Sequence, residues 1–298
     1  MRRLTAVMVG SMMILTACNE ASQTQQESVH ETSAAAVTTA AETSVTEAAI
    51  LTKTAEDNID TAKVNKGRIK QLEAYRDGMK ICGEIFLPDS NGPFPTVVIS
   101  GGLYATGDAY SYHARQFAEN GFAAVIFDFI GTRGGRGDGN ISELSYASET
   151  ADLSAVLDQL GSFPEIDKDR LFLWGHSFGG LVSTYIGCCR SDEIKGMILL
   201  EPSYRSLTLP PEVDYDDKRD DVYSMMPKFR GDVLILLGTE DHALGSDFPG
   251  WFDEAKASFA SCEVRSVKGA DHCFTNEFCK EALKQSCEFM NERGRGSD

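Results

Sequence analysis

The residue pattern of this chain predicts an α/β fold with a mainly parallel sheet and helices on both faces, and three observations carry that expectation. Short bulky apolar runs of strand type alternate with longer helical runs over the C-terminal three quarters of the sequence, as repeated βαβ units require. Three residue groups suited to nucleophilic or proton-transfer chemistry each stand directly after a strand-type run, which is where ligands bind in open α/β sheets. The segment concerned, 67–298, holds about 230 residues, enough for one domain with a full core rather than two.

The elements follow in order. After a hairpin-like opening come a strand at Thr96–Ser100, a helix near Ala109–Asn120, a strand at Ala123–Phe127 and a helix at Glu149–Leu160. A strand at Leu171–Trp174 leads into an apolar helical run from Leu181, followed by a strand at Gly196–Leu200. Further strands at Gly231–Gly238 and Cys262–Val267 complete the pattern. Between the strand ending at Leu200 and the strand beginning at Val233 lies an insertion, 201–232, with Pro202, Pro210, Pro211 and Pro227. It has the place and size of a short cap. Tyr204, Leu207, Leu209, Tyr215, Tyr223 and Met225 either hold a small acyl or alkyl group or cement the cap to the body, beside the acidic run Asp214, Asp216, Asp217, Asp220 and Asp221.

The stretch Gly175-His176-Ser177-Phe178-Gly179 sets G-x-S-x-G between a strand and a helix. A sharp turn there exposes the serine, and a Cβ at either glycine would crowd strand against helix. Ser177 is therefore the candidate nucleophile, with the Phe178 N–H at the unfinished helix start as an oxyanion donor. Thr239-Glu240-Asp241 follows one strand and Ala270-Asp271-His272 follows the next. A serine hydroxyl is scarcely ionised at neutral pH, so it needs a base; His272 fits, with Asp241 holding its tautomer and Glu240 as the alternative acid. His176 and Tyr104 are expected to border the substrate pocket, His242 to be a partly buried loop residue, and His113 to sit on its helix. No His or Cys cluster has metal spacing, and this chemistry needs neither metal nor cofactor.

With G-H-S-F-G, G-T-E-D and G-A-D-H-C-F in that order, the chain resembles the α/β-hydrolase superfamily over roughly residues 75–291. Within it the chain is most similar to small esterases that include bacterial cinnamoyl and feruloyl esterases, with dienelactone-hydrolase-like proteins nearby. The segments Asp77–Pro88, Pro95–Gly102 and Phe127-Asp128-Phe129 carry that likeness. A dienelactone hydrolase is expected to have Cys at the nucleophile, so Ser177 favours the esterase side. The resemblance implies an α/β-hydrolase fold and a second oxyanion donor after Thr96–Ser100, assigned by position to the Leu103 N–H, with Gly102 as the fallback. The family's usual His-Gly pair is Gly101-Gly102 here, which otherwise reads as a plain tight turn. The loop Gly131–Gly137 also departs from the family, and its Arg133 and Arg136 either are solvated or meet a substrate carboxylate.

Arg2-Arg3, the apolar run Leu4–Ile14 and Leu15-Thr16-Ala17-Cys18 resemble a bacterial lipoprotein signal, 1–17, too short to span a bilayer. The resemblance implies lipidation of Cys18, anchoring to the membrane of the cell envelope and an extracytoplasmic catalytic domain. Residues 18–66, rich in Thr, Ser, Ala, Glu and Gln without an aromatic, read as a disordered tether. A net charge of −17 argues against nucleic acid as a partner. Of eight cysteines, seven remain beside Cys18, too few for a disulfide scaffold, although one or two bridges among Cys262, Cys273, Cys279 and Cys287 fit an exported chain. The reading is a serine carboxylesterase acting on small esters, hydroxycinnamoyl or short-chain acyl. The alternatives are a peptidase or thioesterase using the same triad, and a noncatalytic binding protein on the same fold.

Overall fold

The computed structural model describes residues 68–204, 222–243 and 248–294. Eight strands form one sheet in the order β1-β2-β4-β3-β5-β6-β7-β8: β1 (Arg68–Arg76), β2 (Met79–Leu87), β3 (Phe94–Ser100), β4 (Ala123–Phe127), β5 (Ile166–His176), β6 (Ile194–Leu200), β7 (Asp232–Gly238) and β8 (Cys262–Val267). The β1–β2 and β2–β4 pairs are antiparallel and every pair from β4 to β8 is parallel. Asp77-Gly78 joins β1 to β2 with both residues at positive φ, 51° and 82°, the backbone that a two-residue hairpin turn demands and that Asp-Gly tolerates. The sequence resemblance implied this fold, and the strand order and direction establish it as an α/β-hydrolase fold with helices on both faces.

Alternation along the central strands divides the core in two. Val98, Leu171, Leu173, Met197, Leu199, Val233 and Ile235 face one side, where they pack with α2 (Tyr146–Leu160), α3 (Phe178–Cys189), α4 (Val222–Met225) and α5 (Phe248–Ser258). Val97, Ile99, Phe172, Trp174, Ile198, Leu200, Leu234 and Leu236 face the other, against α1 (Ser111–Glu119) and α6 (Glu277–Gly294). Strands apolar on both faces are what a parallel sheet buried between two helical layers requires, and the sequence runs have that character.

Among the boundaries that differ from expectation, two have clear local reasons. Helix α2 begins at Tyr146 rather than Glu149, because the Ser145 hydroxyl accepts from the Ser148 N–H while the Ser148 hydroxyl accepts from the Ser145 N–H. Strand β5 begins at Ile166 rather than Leu171, since Ile166 pairs with Phe94 ahead of a register shift. In the insertion, Tyr204 is buried: its ring meets that of Tyr223 edge-on at 5.6 Å and that of Phe252 at a tilt at 6.2 Å, and its hydroxyl lies 3.0 Å from that of Thr184. Those two tyrosines cement the insertion to the body. Leu207, Leu209, Tyr215 and the acidic run lie outside the described residues, as do the export signal, Cys18 and the tether.

Candidate active site

Ser177 stands between β5 and α3 with φ 53° and ψ −118°, a conformation costly for a non-glycine residue and kept only where the surroundings over-determine it. Its N–H donates to the Leu200 carbonyl at 2.9 Å, and its own carbonyl accepts from Gly180 and Ser203. A Cβ on Gly175 would lie 2.5 Å from the Gly179 carbonyl oxygen and 2.7 Å from the Gly180 Cα, so strand and helix meet there without room for a side chain. At Gly179 the obstruction is different: a Cβ would strike the carbonyls of Ser100 and Gly101 at the end of β3. That close approach sets the loop carrying Leu103 against the first turn of α3.

The carboxyl ends of β5, β7 and β8 bring the three expected residues together. The Ser177 Oγ lies 2.9 Å from His272 Nε2, and His272 Nδ1 lies 2.7 Å from Asp241 Oδ2. All three are largely buried, at 6%, 8% and 4% exposure respectively, which strengthens their mutual electrostatics while leaving the serine a little open. Asp241 Oδ1 accepts from the Ala243 N–H at 2.7 Å. Burial alone would raise the Asp241 carboxyl, but the hydrogen bond and charge of His272, with Ala243 and Glu201, hold it below its ordinary value. Asp241 is thus ionised at neutral pH and accepts from His272 Nδ1, leaving Nε2 to take a proton from Ser177. Glu240, the alternative acid, points outward with its side chain 63% exposed.

The Phe178 N–H belongs to the first turn of α3. Among the described residues none accepts from the Leu103 N–H, whereas the Gly102 N–H donates to the Tyr110 hydroxyl at 2.9 Å. The fallback donor is therefore engaged, whereas the Leu103 N–H is not. Tyr104 follows it with φ 65°, half-buried against the core.

His176 is not a pocket wall. It is 1% exposed, with Nε2 2.8 Å from the His272 carbonyl and Nδ1 3.0 Å from the Tyr110 hydroxyl. In the neutral ring the nitrogen facing a carbonyl must carry the proton, so Nε2 donates to His272 and Nδ1 accepts from Tyr110. The directions then close into one chain, Gly102 N–H to Tyr110 O–H to His176 and on to the His272 carbonyl. It ties the loop carrying Leu103 to the backbone of His272.

Other expectations are corrected by position. Arg136 does not reach toward a substrate: it pairs with Glu84 at 3.2 Å, Asp108 at 3.3 Å and Asp128 at 3.4 Å, pinning its loop. Arg133 is exposed. His242 is 85% exposed rather than partly buried. His113, inside α1, is held neutral because burial, with His176 nearby, lowers it to about 3. All seven described cysteines are free thiols, so the bridges considered among Cys262, Cys273, Cys279 and Cys287 are not formed. Burial pushes Cys188, Cys262, Cys279 and Cys287 up to about 12, far from the thiolate a nucleophile needs.

Three neighbours of the triad escaped the sequence reading: Tyr110, Ser203 and Glu201. The Ser203 Oγ lies 3.3 Å from that of Ser177. Glu201, assigned to the cap from its position, is instead fully buried at the end of β6, and its N–H donates to Leu236 at 3.1 Å. An acidic residue closing the apolar run Met197–Leu200 was the available signal.

Comparison with known proteins agrees with this geometry. Over 144 residues the chain is 31% identical to esterase FrsA of Escherichia coli, a match covering 47% of this chain and 33% of that one, so it spans about a third of the length of the curated relatives it matches. Among solved structures it superposes on Est1E from Butyrivibrio proteoclasticus with ferulic acid bound, with TM-score 0.62, 21% identity and coverage of 74% of this chain and 98% of that one. It also superposes on dienelactone hydrolase from Anabaena variabilis, with TM-score 0.60, 14% identity and coverage of 77% and 99%. At those identities the two structures share the fold. The family model for FrsA-like esterases matches residues 12–234, which include Ser177 and Glu201 and stop short of Asp241 and His272. On that match, which covers well over half of its length, the chain belongs to the FrsA-like esterase family.

Proposed function

We propose that the protein is a serine carboxylesterase working through an acyl-enzyme, and the observation that carries this is the Ser177–His272–Asp241 line at 2.9 and 2.7 Å. Ser177 Oγ bonds to the ester carbonyl carbon as its proton passes to His272 Nε2. Charge on the carbonyl oxygen is met by the N–H groups of Phe178 and Leu103, each worth roughly 10²–10³ in turnover for a donor of this kind. Collapse breaks the bond to the alcohol oxygen, which receives the proton from His272. Water then gives a proton to His272 and attacks the acyl carbon, and Ser177 recovers that proton as the acid departs. Asp241 stabilises the charged imidazole at both stages.

Small acyl esters, hydroxycinnamoyl or short-chain, are the proposed substrates, with Tyr104 beside the oxyanion loop as a contact. The carboxylic acid bound by Est1E and the sequence resemblance support this choice. The lipobox-like Leu15–Cys18 supports lipidation at Cys18 and a tethered extracytoplasmic domain. The test is turnover of a p-nitrophenyl ester series and methyl ferulate by the full chain and by Ser177→Ala, with metabolic acyl labelling of the full chain and of Cys18→Ser. Hydrolysis lost in Ser177→Ala, and label lost in Cys18→Ser, are expected. Ester hydrolysis undiminished in Ser177→Ala would refute the mechanism.

A further inference from the structure

Glu201 enters no step above, yet its burial is complete and its backbone is strained, with φ 45°. The strain is imposed from two sides. Its N–H donates to Leu236 on β7, and its Oε1 accepts from the Gly238 N–H at the end of that strand. The side chain therefore crosses from β6 to the exit of β7, just ahead of Asp241, and the two carboxyl groups act on each other there. Among the described residues no donor reaches Glu201 Oε2, although that atom is buried. As a carboxylate, Glu201 would leave a buried charge half unsatisfied beside a second carboxylate. As a carboxylic acid it has an O–H to donate, with the Asp241 carboxylate as the neighbouring acceptor.

We propose, on the reading of Ser177, His272 and Asp241 as a catalytic triad, that Glu201 is the positioning residue for its acid: it keeps its proton and donates it in a hydrogen bond to Asp241. Asp241 then accepts from three directions: Ala243 N–H, His272 Nδ1–H and Glu201 O–H. Its carboxylate plane is fixed, and the orientation of the imidazole with it. Burial, with the adjoining Asp241 charge, pushes Glu201 up to about 9, in keeping with the protonated form. The titratable groups acting on it are Asp241 from the loop after β7 and His272 from the loop after β8. On the β5 side, His176 lies in register with Leu200, and its ring nitrogens are engaged by Tyr110 and the His272 carbonyl. Above about pH 9 Glu201 loses its proton, the hydrogen bond to Asp241 is replaced by repulsion, and turnover falls.

The test compares the full chain with Glu201→Gln, whose amide still donates, and Glu201→Ala, which cannot. Difference infrared spectra of the native chain against Glu201→Gln at neutral pH are expected to show a buried carboxylic-acid C=O stretch that the variant lacks. In kinetics, Glu201→Ala is expected to lower kcat by roughly tenfold to a hundredfold with little change in KM, the loss of a hydrogen bond to a charged group. Glu201→Gln is expected to recover most of that loss and to shed the alkaline fall in rate near pH 9. A carboxylate in place of the acid band, or an alkaline limb unchanged in Glu201→Gln, would overturn the assignment. The infrared band does not depend on turnover. A chain that shows the band but hydrolyses no ester therefore refutes the esterase reading while the carboxyl pair stands.

Discussion

The Tyr110 hydroxyl sits between the loop carrying Leu103 and His176. Tyr110→Phe leaves the Gly102 N–H and His176 Nδ1 buried without that partner. We expect a stability loss of about 1–3 kcal/mol by chemical denaturation, the penalty for stranded buried polar groups, together with a lower kcat as the loop bearing Leu103 loosens. Unchanged stability and turnover would remove Tyr110 from the account. The triad was legible at this scale because each member follows its own strand-type run in a recognisable motif. Tyr110, His176 and Glu201 were not, because their roles depend on partners 66, 96 and 37 residues away. Which residues meet across that separation is set by strand order, which no local pattern encodes. His176 shows the difference: adjacency to Ser177 suggested a pocket wall, whereas strand alternation turns it inward.

Among the elements, the turn from β5 into α3 concentrates the most constraint. Gly175→Ala places a methyl group 2.5 Å from the Gly179 carbonyl, so the turn has to open. We expect a cost of about 1–3 kcal/mol, as for other overpacked sites, and a drop in kcat of about 10²-fold, since displacement of the nucleophile by an ångström is enough. Denaturation and active-site titration of the variant measure the two separately. The sequence reading placed β4 and β8 at their observed bounds and the other central strands within a few residues, because buried parallel strands are short, bulky and bounded by turn residues. It missed the start of β5, where a bulge lets pairing resume at Ile166, and the start of α2, where a Ser-Ser reciprocal cap replaces the usual Ser-to-Glu pattern. In the loop Gly131–Gly137 the expectation was of arginines that are solvated or meet a substrate carboxylate. The loop is pinned by the three acidic partners of Arg136, which come from β2, β4's exit and the segment before α1.

Across the whole molecule, the buried acid beside the triad links stability to pH. Glu201 ordinarily titrates near 4.5 and in the folded chain near 9, so between those values the native state holds a proton that the unfolded chain has released. The contribution is fully present below pH 4.5 and is lost as pH rises through about 9. Denaturation curves at pH 5 and pH 8 should therefore show the native chain losing stability relative to Glu201→Gln as pH rises; a pH-independent difference would contradict the protonated form. Asp241 titrates in the opposite sense but is common to both chains. Whether Ser177 is the nucleophile activated by His272 is decided by intact-mass analysis after treatment with a fluorophosphonate. That role predicts a single adduct on the native chain, absent from Ser177→Ala and strongly slowed in His272→Ala. An adduct that persists in Ser177→Ala, or a folded native chain that takes none, would contradict it.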